Sequence, residues 1–339
     1  MHRPAGLPAH PSTPSLQYLY RRMLRRNSIS SRQLCILSAQ LLIGLNMWKV
    51  IILLMLTMKV SAALAVDVVK IFQAEADDAR HAFALQLLDE ILKSTETSYG
   101  PYVKEPYTGP LSPARSRQLT AEGRLINVII RAPGRPEDDY GLIPVMLPID
   151  KGLLGYRVAL IAPENQEKIS RIRNREQLRA LHIGQVRGWS DVEIYEHNNI
   201  PVTLAPNYTS LILMLERGRF DLFPRGAIEV LPELQARGSS HPRLAVEDHL
   251  LIRYPFAEFY YVSNSAPRLA SRLTQGFEQS VKAGRFDAMF NQHYKKMFDE
   301  LKLTKRVLIE LDNPFLPAWV PLNRKEFWFD PIFADPSAP

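Results

Sequence analysis

The sequence predicts an α/β fold with largely parallel sheets, and three observations predict it. From residue 66 onward, segments of helical period alternate with short strand-like segments. Several of the strand segments are almost continuously apolar, as strands covered on both faces are. The alternation is also punctuated: helix starts are written as capping boxes and helix stops as glycines.

The elements follow in order. Val68 to Phe72 is apolar and rich in β-branched residues, a first strand. Asp77-Asp78 opens a helix with Ala84, Leu88, Ile91 and Leu92 on one face. A loop and a short helix (TGPLSPARSRQLTAEG) stop at Gly123, and residues 125–130 (LINVII) make the second strand. Tyr156 to Ile161 (YRVALI) is a third. Asn174-x-x-Gln177 starts a helix that runs to Leu181, and a strand follows over residues 182–186. Ser190-x-x-Glu193 is expected to cap the next helix, through His197. Residues 202–205 form a strand, and residues 209–217 a helix that ends at Gly218. Phe220, Leu222 and Phe223 then read as a buried strand, at whose end stand Pro224, Arg225 and Gly226. After Tyr254 the run FAEFYYVS is followed by a helix with Leu273, Phe277 and Val281 at i, i+4 and i+8. Gly123-Arg124, Gly218-Arg219 and Gly284-Arg285 share one helix-stop chemistry, a left-handed glycine cap. The third feeds a helix with Phe286, Met289, Phe290 and His293 on one face. The tail, residues 313–339, is rich in Pro, Trp and Phe without a period, and is expected to pack as an extended strap.

With 339 residues, 46% hydrophobic and 23% charged, the chain can hold two ordinary domains. Its net charge of +7 is not spread evenly. Residues 1–65 carry eight Lys and Arg and no Asp or Glu; removing those eight from 42 leaves 34 basic against 35 acidic residues in the rest. The body therefore offers no electrostatic footprint for nucleic acid. The leader ends in MWKVIILLMLTMKVSAALA, with Ala63-Leu64-Ala65 as an A-x-A cleavage pattern, which reads as a signal peptide over residues 47–65. Residues 1–46 would then be an over-long start. An uncleaved anchor is the alternative, because residues 34–45 are also apolar behind Arg21, Arg22, Arg25 and Arg26. Either way the body is exported, into the periplasm. The only cysteine, Cys35, lies in the leader, so the body has no disulfide and no thiol nucleophile. Histidines 81, 182, 197, 241, 249 and 293 show no metal spacing, and no nucleophile elbow, P-loop or dinucleotide fingerprint occurs. No cofactor or metal is expected.

The order of elements, with the short motifs GRFDLF, GLLGYR and AGRFDAMFNQHYKK, resembles the amino-acid-type periplasmic solute-binding proteins, solute-binding protein family 3, the receptors of ABC importers. The resemblance covers about residues 66–312. It implies a two-lobed type 2 periplasmic-binding-protein fold, each lobe a mostly parallel sheet flanked by helices and joined by two crossing strands near residues 149–153 and 254–256. Lobe one would be residues 66–150 plus 256–312, and lobe two residues 154–253. A ligand would sit between them at the carboxyl ends of the strands, and hinge closure would bury it.

Gly188-Trp189-Ser190-Asp191 follows a strand and places a helix start there, a candidate anion site. By the resemblance, Ser190 contacts a ligand carboxylate and Trp189 forms a wall; an ordinary cap with a packed indole is the alternative. Arg131 and Arg135, after the second strand, match the family's carboxylate clamp, or are solvated loop charges. In the family the strand after the Gly-Arg motif ends near an aspartate that pairs with the ligand ammonium; here Arg225 takes that register, with Glu229 one turn on. A guanidinium aimed into the cleft would favour an anionic solute, unless Arg225 pairs internally with Glu229, Asp221 or another acid. Tyr140 is the candidate stacking residue among the loop tyrosines 99, 102, 107 and 140. The expected function is an exported, monomeric, non-catalytic receptor that carries a small polar, anionic solute to an ABC-importer permease in the inner membrane. The alternatives are a ligand-sensing or adaptor module signalling to a membrane partner, and a secreted enzyme.

Overall fold

The computed structural model describes residues 66–72, 81–109, 112–133 and 140–330. By its contacts the chain divides into Met1–Ala63 and Leu64–Pro339, and every described residue belongs to the second unit. The leader, the helix opening at Asp77-Asp78 and Arg135 lie outside the described residues.

Twelve strands and seven helices of two turns or more are labelled here among the described residues. The strands are β1 (Asp67–Phe72), β2 (Tyr102–Tyr107), β3 (Val128–Arg131), β4 (Ile143–Pro144), β5 (Tyr156–Ile161), β6 (Ile183–Val186), β7 (Val202–Ala205), β8 (Phe223–Gly226), β9 (Ala245–Val246), β10 (Leu250–Arg253), β11 (Phe259–Val262) and β12 (Val307–Glu310). The helices are α1 (Ala82–Ser94), α2 (Pro113–Glu122), α3 (Asp191–His197), α4 (Tyr208–Glu216), α5 (Ala227–Arg237), α6 (Pro267–Lys282) and α7 (Arg285–Leu301).

The fold class is α/β, built on two sheets. The first runs β2-β1-β3-β11-β4. Its strands β2, β1 and β3 are parallel, whereas β11 enters antiparallel to both β3 and β4. The second runs β12-β10-β5-β8, with β9 on β5, and a bridge from Ile183 to Leu222 brings the parallel pair β6–β7 alongside β8. Around β5 the pairing is antiparallel with β10, β8 and β9. Mixed sheets thus replace the mostly parallel sheets expected. Every antiparallel pair involves β5 or β11, the two strands entered directly from a crossing segment, whereas β6 and β7, joined through a local helix, pair in parallel.

Local chemistry sets most elements. Phe83, Leu87, Leu88, Ile91 and Leu92 form the buried face of α1. Ser112 caps α2 by accepting from the Arg115 N–H at 3.3 Å, and Gly123, at φ 69°, ends it. Gly218 and Gly284 also sit at positive φ, as the shared helix stop requires. The second strand begins at Val128, not at residue 125: Leu125 stays exposed, and pairing starts where Asn127 bonds Val68 and Lys70. Ser190 makes no side-chain cap bond to α3, contrary to expectation.

Two segments join the sheets, one from β4 to β5 and one from β10 to β11. Asp150, 1% exposed, fastens them: its carboxylate accepts from Gly152 N (3.2 Å) and Leu154 N (2.7 Å) in its own segment and from Glu258 N (3.1 Å) in the other. They pass so close that a Cβ on Gly155 would lie 2.1 Å from the Tyr254 carbonyl oxygen. The chain then crosses again. Residues 256–312 were expected to remain with the first sheet, but β12 pairs in parallel with β10 of the second. Ile309 and Leu311 supply the apolar reason, being buried there, and Arg306 supplies the polar one, donating to the fully buried Glu247 at 2.8 Å.

The last described stretch has one short 3-10 turn and runs along both sheets. Asp312 bonds Asn198, Asn313 bonds the Pro255 carbonyl at 2.9 Å, and Trp319 sets its edge on Phe259 at 5.0 Å. Further on, Arg324 grips Glu278 with two bonds and Phe329 N donates to Lys151 O at 2.7 Å.

Candidate functional site

The carboxyl ends of β3 and β6 approach one cavity. After β6, Gly188 turns at φ 85°, which a side-chain-bearing residue rarely adopts, and Trp189 and Ser190 follow before α3. After β3 come Ala132 and Pro133. Pro133, Gly188, Trp189, Ser190, Glu193 and Phe256 are among the residues lining a cavity of about 300 Å³, with Glu196, Asn313 and Phe315 at its side. Two predicted residues, Trp189 and Ser190, are therefore brought together. The others are placed differently. Arg131 folds back, its Nε donating to Ala132 O at 3.1 Å and its guanidinium lying 4.7 Å from the Tyr261 ring centre. Tyr140 is half exposed at φ 51° and does not line this cavity. Tyr99 and Tyr102 pack beside the buried Arg272.

Behind Trp189 lies a buried charge cluster. Arg225 is an interior residue of β8, paired opposite Val158, and only 6% exposed. Its Nη2 donates to Glu229 Oε1 at 2.7 Å and Glu233 Oε1 at 2.6 Å, and its Nε to Glu233 Oε2 at 2.8 Å. Glu229 and Glu233 reach it because i, i+4 spacing sets both on one face of α5. Glu229 also accepts from Gly226 N at 2.9 Å, capping the helix, and Tyr208 Oη donates to Glu233 at 2.6 Å. The Trp189 ring centre lies 4.9 Å from the guanidinium carbon, a cation–π contact. One indole thus lines the cavity and covers the cluster.

Arg157, fully buried in β5, extends the network. Its Nη2 donates to Asp191 Oδ1 at 2.8 Å, and Nη1 lies 3.7 Å from Glu229 Oε2. Tyr254 Oη donates to the same Asp191 oxygen at 2.7 Å. Burial acts to lower the pKa of both arginines, but the facing carboxylates outweigh it and both stand above the ordinary arginine value. Burial, then Glu233, pushes the Tyr208 hydroxyl up as well. Two guanidiniums, Arg157 and Arg225, face three carboxylates, Asp191, Glu229 and Glu233, and a third guanidinium, that of Arg237, lies 4.3 Å from the ring centre of Tyr208, which bonds Glu233.

This corrects two expectations. Arg225 does not aim a guanidinium into open space; the internal pairing, with Glu233 added, accounts for all of its observed bonds. The start of α3 does not stand ready for an external anion either, because the chain's own Asp191 and Glu193 occupy its first turn. Sequence reading missed Glu233, Arg157, Tyr254 and Phe256. An Arg-x₃-Glu-x₃-Glu spacing carries the signal for Glu233, which stands one helical turn beyond Glu229.

Among the described residues, no group of three or more His, Cys, Asp or Glu could hold a metal ion, and no helix is long and apolar enough to cross a membrane.

No family model and no curated protein matches the chain. Among solved structures it is similar to the substrate-binding protein of an amino acid ABC transporter, at 12% identity and TM-score 0.43 over 67% of this chain and 99% of that one. It is similar to an arginine transport-system periplasmic binding protein from Legionella pneumophila, at 11% identity and TM-score 0.45 over 67% and 99%. The ligand-binding core of GluR0 in complex with L-glutamate is a third, at 15% identity and TM-score 0.44 over 68% and 99%. At identities and TM-scores this low the likeness carries no weight of its own, and the fold stands on the sheet order and crossing segments.

Proposed function

We propose that the chain is an extracytoplasmic receptor that captures a small polar solute between two lobes, each built on one sheet, and delivers it to an importer permease. One observation carries this reading: two crossing segments bring the carboxyl ends of β3 and β6 to one cavity of about 300 Å³, where open α/β sheets bind ligands. Trp189 and Phe256 supply aromatic walls and Ser190 a hydroxyl. With Arg225 neutralised, the anionic preference loses its carrier. Glu193 and Glu196 line the cavity, so a solute with an ammonium group fits better than a simple carboxylate.

Equilibrium dialysis of the full chain against labelled amino acids, amines and dicarboxylates tests the reading. Saturable retention of an ammonium-bearing solute, recovered chemically unchanged, is the expected result. Conversion to product would make the protein an enzyme and overturn it.

A further inference from the structure

A second and larger cavity, about 600 Å³, shares no lining residue with the first. Both crossing segments contribute to it: Lys151 and Gly152 from one, Arg253, Tyr254 and Pro255 from the other. The tail closes its far wall with Leu322, Lys325, Trp328 and Phe329. That wall is fixed in place. Gly152, at φ 75°, leaves room for the Trp328 ring, since a Cβ there would lie 2.6 Å from it. Phe329 stacks on Phe298 with ring centres 4.8 Å apart.

The lining has two parts with different chemistry. Tyr156, Phe290, Trp328 and Phe329 offer aromatic surface. The polar tips of two of these are already engaged: Tyr156 Oη donates to Phe329 O at 2.5 Å, and Trp328 Nε1 to Pro321 O at 2.9 Å. They present rings to an occupant. The charged part is three cations, Lys151, Arg253 and Lys325, against one acid, Asp330. Lys151 pairs with Asp287 at 2.6 Å and Arg253 with Glu310 at 3.2 Å, both acids standing outside the lining. Lys325 is exposed and has no ion pair among the described residues.

We propose that this cavity is a second binding site, for a small amphipathic anion such as an aromatic carboxylate. Its ring would lie against Trp328 and Phe290, and its carboxylate would meet Lys325 with Arg253 beside it. With Lys151 and Arg253 paired, Lys325 is the cation left for an occupant; a cationic molecule would be repelled there and a neutral apolar one would forgo the contact. This site stands whether or not the smaller cavity takes a solute.

Calorimetric titration of the full chain with 2-naphthoate tests the assignment, with 2-naphthamide and 2-naphthylmethylammonium as matched neutral and cationic probes. One 2-naphthoate should bind per chain, about tenfold or more tighter than either control. Lys325→Glu, an exposed change that leaves the fold intact, should weaken 2-naphthoate about tenfold or more, and Trp328→Ala should weaken all three probes. Equal affinity for the acid and the amide, or indifference to Lys325→Glu, would each overturn the proposal.

Discussion

Arg225 is held between Glu229 and Glu233, and that decides what its removal does. Arg225→Ala would leave two mostly buried carboxylates facing each other, so it should destabilise the fold by about 3–5 kcal/mol, read as a lower urea midpoint. An unchanged midpoint with loss of solute binding would restore the ligand-clamp reading. Tyr208→Phe removes one hydroxyl from Glu233 and should cost about 1–2 kcal/mol; no change in midpoint would show that the bond contributes nothing. At this scale the sequence was half legible. That Trp189 and Ser190 stand together at the end of a strand was legible because a glycine turn after a strand is a local signal. Arg225 could be singled out but not interpreted, because its pairing depends on Glu233 as well as Glu229, eight residues away and two turns along the next helix.

At the scale of elements, several apolar strands were legible, but the apolar β10 and the edge strand β2 were not. β5 and β7 have the bounds their apolar patterns suggested, whereas β2 escaped notice because Lys104, Glu105 and Pro106 face outward on an edge. The crossing segments carry their own prediction. Burial raises the Asp150 carboxyl to about 7, Glu258 adds to the rise, and three backbone N–H groups oppose it. His81 lies 3.5 Å from Glu258, Tyr260 also feels Glu258, and Tyr294 feels both acids. A folded-state pKa raised above the unfolded value means the folded state holds the proton more tightly. Asp150 therefore contributes stability that is fully present below about pH 4 and is lost as pH rises through about 7. In Asp150→Asn this component should vanish, flattening the pH dependence of Tm between about pH 4 and 8 relative to the unaltered chain. Superimposable pH profiles for the two proteins would contradict it.

For the whole molecule, the α/β class and the first two crossings could be read from the order of elements, because each step depends on neighbouring segments. The third crossing could not: β12 is four residues long and pairs with β10, 57 residues earlier, an arrangement settled by the buried Glu247–Arg306 bond. The tail was recognisable as an extended strap by its Pro and aromatic content, but its anchors, Lys151, Glu278 and Phe298, come from three separate elements. Truncation after Asp312 would uncover the surface against which Val320, Phe327 and Phe329 are buried. Each is worth about 1.5–3 kcal/mol, so the loss should appear as a clear fall in Tm. An unchanged Tm would show that the strap adds nothing to the fold.

The central claim is that the cavity lined by Pro133 and Trp189 takes a solute. A thermal-shift panel of amino acids, amines, dicarboxylates and phosphorylated metabolites, run in parallel on the full chain and on Trp189→Leu, tests it most directly. At about 100 times its dissociation constant a ligand should add roughly 2.7 kcal/mol of stability. The account predicts a rise in Tm with an ammonium-bearing solute that is lost in Trp189→Leu. A rise of equal size in both proteins, or none with any member of the panel, would contradict it.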